Sequence, residues 1–323
     1  MRARFLVPPS AEESLADFDA AIAPRRPQYQ AVAKAFRHNL TSALSTVSMP
    51  FNLAFTSVNQ SHLQRIHVAE RIRARNIDES SLHPGEELEA VRDREARTKA
   101  HSRMGEFVQS EDGQNTLIRD TCEFLLASLE HGLEPAAHEL LQQGLVLLWS
   151  ALEVLCRDSF EALLNEDPAR VLALTSHPTT RKRFEAERVS LDVLVQHGFD
   201  LSVRLGTVLV RQQDLSDLPT VKAVYAVLFP SNGELSQALA HRELWLLYQR
   251  RHLIVHRRGI VDQDYLDATG EAYAPGAHFT VNPRGFESAL RAVVSSGVAL
   301  VRCLPADSPA HNGCAEAGIT QPA

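Results

Sequence analysis

The residues in this chain best suited to chemistry stand together in RRHLIVHRRG, residues 250–259. Four arginines and two histidines flank a Leu-Ile-Val core, and a glycine closes the stretch. Imidazole exchanges protons near neutral pH. Guanidinium is a planar, permanently charged donor set that grips phosphate. Arg251 precedes His256 with four residues between, and Arg250 with five. Such a pair could cleave RNA without a metal. His256 would move the protons of the 2′-hydroxyl attack or of the leaving 5′-oxygen, and the arginine would stabilise charge on the phosphorane-like transition state. His252 lies one turn before His256. Arg257 and Arg258 read as RNA-backbone contacts or as partners of the helix dipole.

Spacing alone is a weak sign. Arg94 with His101 and Arg170 with His177 show it too. Five residues along an α-helix turn through about 500°, leaving Arg251 and His256 roughly 140° apart. Three arrangements would bring them together: the helix ends between them, the long arginine wraps around, or a second subunit completes the site.

The surrounding elements must position these groups. Good helix formers dominate the periodic segments and aromatics are only 6% of the 323 residues, so the expectation is an all-α chain. A short helix is expected over 11–22, then one over 30–76 interrupted at Pro50. The segment 84–104 is charged on nearly every side and reads as an exposed helix or connection. Helices are expected over 115–130, capped by Asn115 and stopped at Gly132, and over 135–164, a central helix with a wide apolar arc. Shorter ones follow over 179–193, 199–213 and 215–228. Ser231 and Glu234 have capping-box spacing for the helix that runs into 250–259, where Gly259 stands as C-terminal cap. A loop with two short strands is expected over 260–281, a final helix over 283–303, and a disordered tail over 305–323.

The bulk numbers exclude several classes. The net charge of −7 argues against a general nucleic-acid coat protein, so any contact with nucleic acid must be local. Cys122, Cys156, Cys303 and Cys314 form no metal-site spacing; reduced thiols, no metal, no cofactor and a cytoplasmic location are expected. The N-terminus lacks the apolar run of a signal peptide. The longest apolar stretch, 144–156, is short for a membrane span and contains Glu153, so no membrane association is expected. No Walker A loop, dinucleotide fingerprint, His-Glu-x-x-His helix or Gly-x-Ser-x-Gly elbow is present.

The stretch ELWLLYQRRHLIVHRRGIVDQDYL (243–266) resembles the HEPN superfamily of all-α domains from prokaryotic defence, toxin and RNA-processing proteins. The similarity rests on the Arg-spacer-His signature, the following Gly259-Ile260-Val261-Asp262, the Leu-Phe-Pro break at 228–230, and the upstream helix LWSALEVLCRDSF (148–160). It covers about 130–304; a HEPN-like domain over 126–304 and a separate N-terminal helical region over 1–125 are expected. The resemblance implies a helical bundle that forms a homodimer, with the two Arg/His motifs meeting at a shared cleft and acting as a metal-independent endoribonuclease. Carried over by residue, His256 transfers protons and Arg251 binds phosphate, with Arg250 as the alternative. Glu153 and Asp158 would be polar supports near the cleft, although Glu153 also has i, i+4 spacing to Arg157. A defence or toxin–antitoxin setting, with RNA and an antitoxin or defence partner protein, is implied. Some members of the superfamily only bind RNA, nucleotides or proteins, which keeps a non-catalytic binding module as the alternative. A Tyr-dependent subgroup places Tyr two residues after the His. This chain has Arg258 there.

Overall fold

The computed structural model describes residues 11–76, 87–128, 132, 134–184, 189–212 and 215–307. The tail expected beyond 304 lies outside the described residues from 308 onward, as does Cys314. Among the described residues every regular element is a helix. In order they are α1 (Ala11–Ile22), α2 (Pro27–Arg73), α3 (Leu88–Gln109), α4 (Glu111–Ser128), α5 (Glu134–Glu166), α6 (Val171–Ser176), α7 (Pro178–Phe184), α8 (Leu191–Gln196), α9 (Leu205–Gln212), α10 (Leu218–Leu228), α11 (Gly233–Ala240), α12 (Arg242–Arg257), α13 (Gln263–Thr269) and α14 (Pro283–Cys303). The fold is all-α.

The chain divides into two compact units. Among the described residues one comprises 42–145 and 278–287, and the other 11–41, 146–277 and 288–307. The sequence reading placed boundaries at residues 125 and 304.

In the first unit, α3 and α4 form a hairpin. Val58, Met104 and Leu117 make one apolar cluster there, and Phe51, Ala54 and Leu125 another. Pro50 does not interrupt α2, which runs through it. Proline removes one helical hydrogen bond. Val47, Phe51 and Ala54, all buried, hold the chain on both sides of it, so packing outweighs the local loss. The charged segment is indeed a helix, α3, and every fourth residue or so turns inward: Val91, Ala96, Ala100 and Met104. Helix α4 starts four residues before Asn115. The Ser110 hydroxyl accepts from Gly113 N–H at 3.1 Å, so Ser110 supplies the cap.

The second unit holds the Arg/His stretch. Its core is built on α5, where Leu148, Trp149, Leu152, Leu155 and Phe160 are buried. With 33 residues, α5 is long and apolar enough to cross a membrane by composition, but only half of its most apolar window is exposed. The Tyr225 hydroxyl of α10 donates to the Cys156 carbonyl of α5 at 2.6 Å. Gly206 of α9 lies so close to α5 that an added Cβ would sit 2.1 Å from the Glu161 carbonyl oxygen.

Several local expectations fail here for identifiable reasons. The segment expected as two helices over 179–213 holds α7, α8 and α9, with α6 ahead of them and turns at 197–199 and 202–204. Asn232, not Ser231, caps α11, its side-chain oxygen accepting from Leu235 N–H at 2.8 Å. The helix expected to run unbroken from 235 stops at His241, whose ring Nδ1 accepts from Glu243 N–H at 3.2 Å and starts α12. No strand forms over 260–281. Asp262 caps α13 instead, and two backbone bonds, Val261 N–H to Ala277 O at 2.9 Å and Gly276 N–H to Val261 O at 2.8 Å, close the loop.

Candidate functional site

Helix α12 is seated by one apolar side. Leu244, Leu246, Leu247, Leu253 and Ile254 are buried. Tyr248 packs its ring 5.2 Å from Trp149 of α5 and 5.6 Å from Trp245. Trp245 Nε1 donates to the Ala268 carbonyl at 3.0 Å, tying α12 to α13.

The six candidates of the basic stretch separate sharply. Arg250 stands three or four residues from Leu246, Leu247, Leu253 and Ile254, which places it on the buried side. Its side chain is 11% exposed, and its Nη2 donates to Glu271 Oε1 at 2.7 Å, with Glu243 at 3.9 Å. Burial works against its charge, but the bond and charge of Glu271 prevail and hold its proton more firmly than usual. The Tyr265 hydroxyl donates to the other Glu271 oxygen. Burial and Glu271 raise the Tyr265 pKa. Arg250 is therefore a brace between α12 and the loop after α13, which removes it as the alternative phosphate ligand.

Arg251 differs. It is half-buried, and its Nε is shielded from solvent without a hydrogen-bond partner. His252 and His256 are exposed, one turn apart on the same side of α12, with ring centroids 4.5 Å apart and planes tilted by 47°. Their nitrogens make no hydrogen bond among the described residues. By contrast, the two histidines that share the Arg-spacer-His spacing are occupied: His101 Nδ1 meets the Arg97 carbonyl and His177 Nδ1 meets Thr179 Oγ1, both at 2.8 Å. Burial pushes the His252 pKa down, helped by the charges of His256, Arg251 and Arg257 and opposed by Asp262.

Arg257 is exposed and pairs with Asp262 at 3.2 Å, while Asp262 Oδ1 accepts from Tyr265 N–H at 2.9 Å. Arg258, rather than Gly259, takes the cap position. Its φ is 53°, in the left-handed region, and Gly259 follows with φ 73°. The Gly259 N–H reaches back to the Leu253 carbonyl at 3.2 Å. The Gly-Ile-Val-Asp stretch thus has a structural role throughout: left-handed turn, exposed Ile260, buried Val261 and a helix cap.

Glu153 and Asp158 both lie on α5. Glu153 is half-buried, and its charge together with burial raises the Cys156 thiol to about 12, too high for a nucleophile at neutral pH. The Asp158 carboxylate is bonded to Arg157 at 3.1 Å. It makes no hydrogen bond or ion pair with α12 among the described residues.

The α12 helix is continuous from Arg242 to Arg257, so it does not end between Arg251 and His256. Their side chains leave one helix roughly 140° apart. Sequence reasoning missed Glu271, Tyr265 and Glu243. Its signal was present for Arg250: a charge centred in an i±3, i±4 apolar stripe needs a buried partner. No three His, Cys, Asp or Glu side chains converge as metal ligands among the described residues. No family model matches the chain, and no curated protein or solved structure matches it.

Proposed function

We propose that the chain is a metal-independent endoribonuclease of HEPN type, acting as a homodimer in the cytoplasm within a prokaryotic defence or toxin–antitoxin setting. The observation that carries the reading is the state of His256. It stands exposed in the last turn of α12, with both ring nitrogens unbonded among the described residues. Arg251 lies nearby in the same helix with an unpartnered Nε. These are an exposed proton-transfer group and a half-buried phosphate-binding group with no ion pair among the described residues. The resemblance of residues 243–266 to the HEPN superfamily supplies the reaction class.

In this reading RNA lies across the exposed end of α12. His256 transfers a proton, and Arg251 stabilises charge on the phosphorane-like centre. Arg257 and Arg258 meet backbone phosphates. The angular separation of Arg251 and His256 is met by a second copy that places its Arg251 opposite the first copy's His256.

The same separation favours a second reading, a non-catalytic RNA- or partner-binding module, since one copy alone does not bring arginine and histidine onto one face. Purified protein incubated with RNA in EDTA decides between them. Cleavage leaving 2′,3′-cyclic phosphate ends is expected, and His256→Ala should abolish it in a folded protein of unchanged oligomeric state. RNA binding with no cleavage would establish the binding module, and loss of cleavage on chelation would sink the mechanism.

A further inference from the structure

The Leu-Phe-Pro break at 228–230 opens a cavity away from the Arg/His stretch. Helix α10 ends at Leu228, and the turn that follows is held by Asn232 N–H to the Phe229 carbonyl at 3.1 Å. Asn232 then caps α11. Between α10, the turn and α11 lies a cavity of about 200 Å³. Tyr225, Phe229, Leu235 and Leu239 give it an apolar wall. The rings of Tyr225 and Phe229 are nearly parallel there, with 7° between their planes and centroids 6.2 Å apart.

One charged side chain lines this cavity, Lys222 of α10. It is half-buried and makes no hydrogen bond or ion pair among the described residues. A lysine withdrawn from water ordinarily has an acidic partner. No carboxylate lines the cavity, and Glu234, at the start of α11, is spent on Arg302 at 2.6 Å. Burial pulls the Lys222 pKa below its ordinary value, and no neighbouring charge offsets it. Two neutral donors stand with the ammonium. The Asn232 side-chain oxygen accepts from Leu235 N–H at 2.8 Å, so its amide nitrogen is left to donate, and the Ser236 hydroxyl also lines the cavity.

We propose that this cavity binds a small carboxylic acid with an aromatic or aliphatic body, its carboxylate on Lys222 and its body against Tyr225 and Phe229. The anion supplies the counter-charge that Lys222 lacks, through a charge-assisted hydrogen bond. The wall behind the lysine offers contact to carbon and leaves few polar groups to satisfy. The volume lies below the roughly 300–1,000 Å³ of sites that hold drug-sized ligands, so the acid is small. A nucleotide exceeds that space and carries more negative charge than one lysine balances. The site belongs wholly to the second unit and stands independently of the ribonuclease reading.

The test titrates the full chain with phenylacetate, hexanoate and the neutral phenylacetamide, followed by NMR of leucine methyl groups. At least one of the acids should shift the Leu235 and Leu239 methyls saturably. Phenylacetamide should bind about tenfold more weakly than phenylacetate, the effect of losing one charge-assisted hydrogen bond. Lys222→Met keeps an apolar stem of similar length. It should erase the preference for the acid and leave the amide's affinity unchanged. Ala226 and Ser236 line the cavity from exposed positions. Ala226→Trp and Ser236→Trp, each checked for folding by circular dichroism, should block both ligands. Three results would each overturn the proposal: no methyl shift with either acid at about 10 mM, equal affinity for acid and amide, or a Lys222→Met protein that keeps the preference.

Discussion

Arg250 of α12 donates from Nη2 to Glu271 in the loop after α13, at 2.7 Å, with the arginine side chain only 11% exposed. This one bond sorts the basic stretch, because it commits Arg250 to the fold, whereas Arg251 makes no ion pair among the described residues. Removing Glu271 strands a mostly buried guanidinium whose nearest remaining carboxylate, Glu243, is 3.9 Å away. Glu271→Ala should cost about 3 kcal/mol. Adding Arg250→Met should recover most of it. Thermal unfolding of the single and double variants checks this, and equal melting temperatures for Glu271→Ala and the parent would refute the brace.

Arg251 should behave in the opposite way. Arg251→Ala removes a group with no ion pair among the described residues, so stability should change little. Cleavage of RNA should drop by about 10²-fold or more, the usual cost of losing a donor to a transition-state oxyanion. Lysine should restore little, because it lacks the planar fork. Comparing Arg250→Lys with Arg251→Lys by melting temperature and by rate separates the structural arginine from the functional one.

The turn after α12 offers a stabilising substitution. Arg258 holds a left-handed conformation at φ 53°, which costs a residue with a Cβ about 1 kcal/mol. Arg258→Gly should raise the melting temperature, and Gly259→Ala, at φ 73°, should lower it. If Arg258 meets RNA phosphates, the same Arg258→Gly protein should bind RNA more weakly with a shallower salt dependence. Weakened stability in Arg258→Gly would contradict the backbone argument.

The His252 pKa lies below the ordinary imidazole value of 6.5, chiefly through burial and then through the charges of His256 and Arg251. The unfolded chain therefore binds this proton at higher pH than the folded chain does. Above the ordinary imidazole range the shift has no effect on stability. As pH falls from there through the folded value, the protein should lose stability, and His252→Gln should remove that part of the slope. Proton NMR of the ring should show a midpoint under 6.5 that moves upward in His256→Ala. A midpoint at or above 6.5 would rule out the environment described.

Cys156 gives a simpler check. Its thiol is raised to about 12 by burial and by Glu153. It should resist iodoacetamide at pH 8 in the folded protein and react once urea unfolds it, as seen by mass spectrometry.

The all-α class, the extents of α1, α5 and α14 and the Arg/His stretch were legible in the sequence because they rest on local periodicity, composition and proline position. An apolar repeat at helical spacing can bury itself in only one way. The register of caps was less legible. Serine and asparagine near a helix start compete for the same N–H groups, and the fold selects Asn232 over Ser231 for α11, while His241 caps the separate helix α12. Pro50 was read as a break because the sequence shows the lost hydrogen bond and not the apolar contacts around it. The division of labour within RRHLIVHRRG belongs to tertiary structure alone. Arg250 and Arg251 are chemically identical neighbours, and only the placement of Glu271, twenty-one residues beyond Arg250, makes one a brace while the other makes no ion pair among the described residues. Local sequence sets which groups a helix carries. The partners that bury or release them come from distant segments, whose positions the fold as a whole determines.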